Sequence, residues 1–221
     1  MAWGPDGTLF LVDGATCRVL QLTRDGRVLG AWGSPGVAPG SFDGARGVAV
    51  SADGRVYVAD EGNDRVQCFT ADGEFVSAWG RPGDGNGEFA GPADVAVAAD
   101  GTVYVADAGN ARVQYFDRDG RFRGRWGGPG ADDGEFNLPT GSAAAPNGDA
   151  YVADFFAGRV QRFGPEGDFL GAWGDEGPQV GEFRWPAGAA VGPDGDVYIA
   201  DYGNHRVQRF RADGSLAGSL K

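Results

Sequence analysis

The stretch VYVAD at residues 56–60 returns as VYVAD at 103–107, AYVAD at 150–154 and VYIAD at 197–201, each 47 residues after the last. An earlier copy, LFLVD, ends at Asp13. Five residues after each terminal Asp stands an Arg. Arg18, Arg65, Arg112, Arg159 and Arg206 follow Asp13, Asp60, Asp107, Asp154 and Asp201. A period of this length, kept through the whole chain, constrains the fold more than composition does. A unit this short cannot bury its own apolar faces, so each must lean on its neighbours.

One unit, residues 47–93, reads as four strands. GVAVS is a short apolar strand, and RVYVA after it is apolar on both faces, as in a sheet covered on both sides. RVQCFT and the more polar EFVSAW complete the set. Asp53-Gly54 and Asp72-Gly73 are hairpin turns, with glycine supplying a positive φ. EGND turns the second strand into the third, and RPGDGNGEFAGPA links to the next unit. No stretch carries a helical period.

Four antiparallel strands followed by a long link make a propeller blade. The expected fold is all-β: one propeller domain over 1–221, with five four-stranded blades at approximately 1–33, 34–80, 81–127, 128–174 and 175–221. The alternative is part of a six-bladed ring lacking one blade. A solenoid fits less well, since β-helix coils use shorter periods.

The signature VYVADxGNxRVQxFxxDGxFxxxWG, followed by GxGxGEFxxP, resembles the NHL repeat and covers essentially the whole chain. Blades two, three and five carry its Gly-Asn turn at Gly62-Asn63, Gly109-Asn110 and Gly203-Asn204; blade four has Phe156-Ala157 and blade one Ala15-Thr16. The GEF element appears at Glu88-Phe89, Glu135-Phe136 and Glu182-Phe183, with Ser41-Phe42 a looser copy. WD-type blades lack the Asp–Arg framing, and the Gly-Gly pairs of kelch blades are absent at the matching position. The resemblance implies a propeller that is usually six-bladed, against five units here.

The five Asp–Arg pairs are expected to hold the turns between second and third strands, the guanidinium meeting the carboxylate side-on. A group repeated in every blade builds scaffold. Trp32, Trp79, Trp126 and Trp173 also recur once per period. They read as packing between blades rather than as a sugar-binding ladder. Phe42, Phe89, Phe136 and Phe183 read as anchors for the long connections.

Function is expected where the repeats disagree. The long connections and the second-to-third-strand turns share one propeller face, around the axial pocket. There Phe155 and Phe156 replace a polar turn, Tyr202 and His205 occupy the matching turn of blade five, and Trp185 stands where other blades have Gly44, Gly91 and Leu138. Arg46, Asp94 and Thr140 hold nearly equivalent positions at the channel mouth. These eight residues form the candidate ligand-binding set.

Enzyme classes suggested by the family find little support. Amidating lyases hold zinc with several histidines, and His205 is the only histidine here. Gluconolactonase-type propellers hold a divalent metal with acids from several blades, and Asp94 is the only acid at the channel-mouth position. The connection acids Asp84, Asp132, Asp133 and Glu176 offer at most weak calcium binding, so no cofactor is expected. RNA binding, known for basic NHL faces, meets a net charge of −12 and a pI near 4.4. The expected role is a non-catalytic binding module for a protein or small molecule. A metal-dependent hydrolase or lyase of the gluconolactonase type is the alternative.

No segment approaches a membrane span, and the start lacks the basic region of a signal peptide. A cytoplasmic location is therefore the default expectation. Cys17 and Cys68 occupy different repeat positions and read as free thiols.

Overall fold

In a computed structural model of the chain, residues 1–220 are described. They form five four-stranded antiparallel sheets, each ordered from its first strand to its fourth. Blade one holds Ala2–Trp3, Leu9–Asp13, Arg18–Leu22 and Val28–Trp32. Blade two holds Ala45–Val50, Val56–Asp60, Arg65–Phe69 and Phe75–Trp79. Blades three, four and five begin at Pro92, Pro139 and Pro186 and end at Gly127, Trp173 and Leu220. The fold is a five-bladed β-propeller.

The second strand of each middle blade is buried throughout, which explains the unbroken apolar run of VYVAD. The fourth strand alternates and lies at the rim. The Asp-Gly hairpins use glycine alone in the left-handed region. Gly54 has φ +85°, its N–H donates to Ser51 O, and Ser51 N–H donates to Arg55 O at 2.9 Å. That is a three-residue loop closed by a glycine. The EGND turn is a single turn of 3₁₀ helix, Glu61–Asn63, ended by Asp64 at φ +49°. Cys17 and Cys68 are both free, and burial pushes the Cys68 thiol up.

The Asp–Arg frame reaches further than its own turn. Buried Asp60 accepts from Arg65 Nε at 2.7 Å, Asn63 Nδ2 at 2.9 Å, Gln67 Nε2 at 3.0 Å and the Asp43 N–H at 2.8 Å. The other Arg65 nitrogens donate to Val37 O, Ala38 O and Ser41 O. Turn, third strand and incoming connection thus meet on one carboxylate. Asp107 and Asp201 repeat the arrangement, with Arg distances of 2.7 and 2.6 Å. Blade four is looser. Arg159 Nε stands 3.5 Å from Asp154, and Ala157 replaces the Asn that donates elsewhere. Burial there raises the Asp154 carboxyl, against N–H donation from Asn137 and Leu138 and the charge of Arg159.

Blade one departs from expectation. Asp13 and Arg18 lie opposite each other in register. Among the described residues they make no ion pair, and Arg18 is exposed. Asp13 instead accepts from the N–H groups of Ala15 and Thr16 and from the Thr16 hydroxyl at 2.6 Å. The physical reason is that in the other blades the Arg is held in place by carbonyls of the connection entering its blade.

Tryptophans join the blades. Trp32, Trp79, Trp126 and Trp173 pack on Phe69, Phe116, Phe163 and Phe210 of the following blade, with centroids 5.5–5.9 Å apart. Their indole N–H groups are buried without partners, so they hold by packed area alone. The Phe of each connection is fully buried and pairs through a parallel bridge seven residues back, with a proline for Phe42, Phe89 and Phe136 and with Glu176 for Phe183. No hydrogen bond or ring contact joins blade five to blade one among the described residues. The arc of blades has an open seam there.

Candidate functional site

Two features on the variable side of the arc can do chemistry or binding. The first is the axial cavity, about 550 Å³, walled mainly by small side chains of the inner strands. Arg46, Asp94, Thr140, Ser142 and Tyr198 are its polar lining. Arg46 is exposed at the rim and pairs with Glu61 at 3.1 Å. Thr140 is buried, and its hydroxyl donates to Pro186 O at 3.2 Å. Asp94 Oδ2 accepts the Ser142 N–H at 2.7 Å and the Ser142 hydroxyl at 3.2 Å.

Asp94 is half-buried by area but enclosed by the inner strands. Its desolvation pushes the carboxyl up to about 6, against the N–H groups of Ser142 and Val95 and the N-terminal charge. Such a shift makes the charged form costly in the folded state. An unfolded Asp ionises near its ordinary value, so this group's contribution to stability falls as pH rises from about 4 to about 6.

Ser142 belongs to this site although sequence reading passed over it. Its signal was a hydroxyl where the other blades place Val48, Val95 and Ala189.

The second feature is an aromatic shelf on the connection face. Turns and connections meet there: the Gly62, Gly109 and Gly203 N–H groups donate to connection carbonyls, as does that of Phe155 to Leu138 O. Phe155 and Trp185 stack nearly parallel, 8° between planes and 6.2 Å between centroids. Phe156 meets Phe155 edge-on at 5.1 Å. Phe156 and Trp185 are 55 % and 45 % exposed.

Trp185 sits at φ +56°, the conformation that Gly44 and Gly91 adopt at the same repeat position. A bulky residue held there costs roughly 1–3 kcal/mol of backbone strain. His205 also has a positive φ, yet it shares this with Cys17, Asp64 and Ala111 in matching turns. The strain at His205 therefore belongs to the repeat, whereas that at Trp185 is particular to this connection.

The structure thus brings Phe155, Phe156 and Trp185 together, and separately Arg46, Asp94 and Thr140 around the cavity. Tyr202 is 63 % exposed on the next turn, beside exposed His205. Neither has a ring contact with the shelf among the described residues. The connection acids Asp84, Asp132, Asp133 and Glu176 do not gather; no group of three His, Cys, Asp or Glu suited to a metal occurs among the described residues.

Comparison with known proteins identifies the repeat in part of the chain. The NHL-repeat profile matches residues 42–69, 89–116 and 183–210. Three of the five blades of this propeller carry NHL repeats. The matched segments run from the connection Phe to the third-strand Phe of blades two, three and five. The corresponding stretch of blade four is unmatched; there Phe155-Phe156-Ala157 stands in the turn. Phe155 and Phe156 of the shelf therefore lie outside the matched segments, whereas Trp185 lies within that of blade five.

A comparison with curated protein sequences finds no match. Among solved structures, the propeller is similar to the virginiamycin B lyase of Staphylococcus aureus, at 14% identity and TM-score 0.72, over 97% of this chain and 67% of that one. It is similar to a protein of unknown function from Bacteroides caccae, at 16% identity and TM-score 0.71, over 99% and 79%. A gluconolactonase from Xanthomonas campestris gives 20% identity and TM-score 0.70, over 99% and 74%. These are likenesses of fold. The chain spans about two thirds of the length of the Staphylococcus lyase. No helix among the described residues is long and apolar enough to cross a membrane.

Proposed function

We propose that this propeller is a binding module that holds a protein partner on its connection face. The observation that carries the reading is Trp185, a half-exposed indole kept at a strained glycine-like φ and stacked on Phe155. Core packing does not account for a side chain so exposed, and strain of this kind persists where a site makes use of it. Rigid, half-exposed aromatics are the residues that anchor protein interfaces. Phe156 extends the shelf, and Tyr202 and His205 flank it on the next turn. Net charge of −12 favours a neutral or basic partner surface and disfavours nucleic acid.

A metal-dependent hydrolase or lyase finds a poor donor set here. On the cavity wall Asp94 is the one carboxylate, and its neighbours Ser142 and Thr140 are hydroxyls already engaged with protein groups. That set does not fit a divalent ion.

Trp185→Gly tests the reading cleanly, because glycine suits the backbone there and matches blades two and three. The variant is expected to melt at or slightly above the parent temperature. Affinity capture from the source lysate, compared side by side, should lose the partner that the parent retains, by at least tenfold. A partner held equally by both proteins would refute the role of the shelf.

A further inference from the structure

The outer strand of blade three differs in kind from the other four. Phe122–Gly127 reads FRGRWG, whereas VLGAW, FVSAW, FLGAW and LAGSL in blades one, two, four and five carry no charged residue. Arg123 stands where other blades have Leu29, Val76 and Leu170, and Arg125 where they have Ala31, Ala78 and Ala172. Arg121 immediately precedes the strand. In a chain of net charge −12 this is a local reversal of sign.

None of the three arginines has a strong partner inside the molecule. Arg121 is exposed, and its guanidinium makes no bond among the described residues. The Arg123 side chain is 61 % exposed and reaches Asp117 at 3.3 Å, a surface pair of little worth. Arg125 is exposed and donates one long bond, at 3.4 Å, to Asp84 O. Tyr115 pairs with Gly124 and Phe116 with Phe122, so Arg123 is an extra residue in the ladder. The two strand arginines leave the edge toward opposite sides. Arg123 lines a recess of about 650 Å³ with Pro165 and Glu166 of blade four, and Arg125 one of about 490 Å³ with Asp84 of the connection from blade two.

The strand is also a free edge. It is hydrogen-bonded on one side only, to Arg112–Phe116, and its other row of N–H and C=O groups faces outward. Charge on an edge strand commonly guards it against pairing. Guards of that kind belong where an edge is most apolar, yet Leu29, Val76 and Leu170 stand exposed on outer strands that have none.

We propose that this edge docks an acidic segment of a partner protein, laid down in extended form as a fifth strand of blade three. Main-chain bonds along the edge hold the segment, and carboxylates on its two faces meet Arg123 and Arg125, whose planar forks suit them. A nucleic acid offers the charge without the backbone partners. The molecule as a whole is acidic, but exposed charges more than about 8 Å away are largely screened at physiological salt, so the local sign decides. The edge lies at the rim, and the proposal does not rest on the aromatic shelf.

The probe is a labelled peptide of about eight residues rich in Glu and Thr, the length of an ordinary strand. The test variant combines Arg123→Val with Arg125→Ala, which puts blade two's residues at both positions and so suits the fold. Fluorescence anisotropy is expected to show the parent binding the peptide and the variant binding it about tenfold more weakly or worse. The same peptide N-methylated at every residue keeps its charge but cannot pair as a strand, and should lose as much. Amide exchange of Phe122–Gly127 should slow when the unmethylated peptide is bound. Equal binding by parent and variant would overturn the proposal, as would no binding by the parent. Equal binding of the N-methylated peptide, or tighter binding of inorganic polyphosphate, would overturn it in favour of a bare anion patch.

Discussion

Asp107→Ala is expected to lower the thermal midpoint by roughly 10 °C, a loss of about 3–5 kcal/mol. Asp107 is fully buried and accepts from Arg112 Nε at 2.7 Å, Asn110 Nδ2 at 2.8 Å, Gln114 Nε2 at 3.2 Å and the Ala90 N–H at 2.8 Å. Arg112 is itself buried. Removing the carboxylate leaves a guanidinium without its counter-charge in a dry site, and that penalty exceeds the worth of the pair. Arg112 would keep its bonds to Asp84 O, Gly85 O and Glu88 O, so the connection should loosen rather than detach. Asp13→Ala is the matched control. With Arg18 exposed and no ion pair to break, it should cost under about 1 kcal/mol. Differential scanning calorimetry on both variants checks the contrast, and equal losses would refute the role assigned to the buried frame.

Phe89→Ala is expected to cost a similar ~3–5 kcal/mol through a different mechanism, the cavity left by a large ring. Phe89 is fully buried, packs on Phe116 at 5.7 Å and closes against the backbone of Gly80. Its N–H and carbonyl also pair with Arg81 and Gly83. Phe89 and Asp107 therefore fasten the same connection, one by packing and one by charge. The double variant should lose less than the two single losses added, since a connection freed once cannot be freed again. Urea unfolding of the three variants measures the coupling. Strict additivity would show that ring and carboxylate act independently.

Much of this fold was legible from the period alone. VYVAD recurs with a full complement of apolar residues, and such strands need cover on both faces, which only neighbouring blades supply. The Asp–Arg spacing also pointed to a hairpin contact, because five residues across a tight turn bring the two side chains into register. Gln67, Gln114, Gln161 and Gln208 were the missed part of the frame. They sit in the same RVQ string and are fully buried. A buried amide recurring in a strand is a signal that backbone groups from elsewhere need partners, but the sequence does not say which. The connections supplying those groups lie about two dozen residues away, folded back by their own Gly and Pro turns.

The candidate site was legible only in part. Phe155, Phe156 and Trp185 were visible as breaks in the pattern, yet stacking depends on φ at Trp185. A glycine-like backbone under a Trp shows in the alignment of repeats only as a residue out of place. Ser142 was hidden because a hydroxyl in an apolar strand reads as noise until Asp94 of the neighbouring blade is seen to accept from it. The Asp13–Arg18 pair shows the reverse error: the motif is intact and the interaction is absent, since the sequence motif holds only two of its several participants.

Amide hydrogen exchange read blade by blade tests the central claim, that the blades stand in an open arc in which each is held by its neighbours. Blades two, three and four have partners on both faces, whereas blades one and five have one each. The account predicts that the second and third strands of blade three exchange only with global unfolding, while those of blades one and five exchange by smaller openings and several-fold faster or more. Uniform protection across all five blades would contradict it, for that is the behaviour of a closed ring.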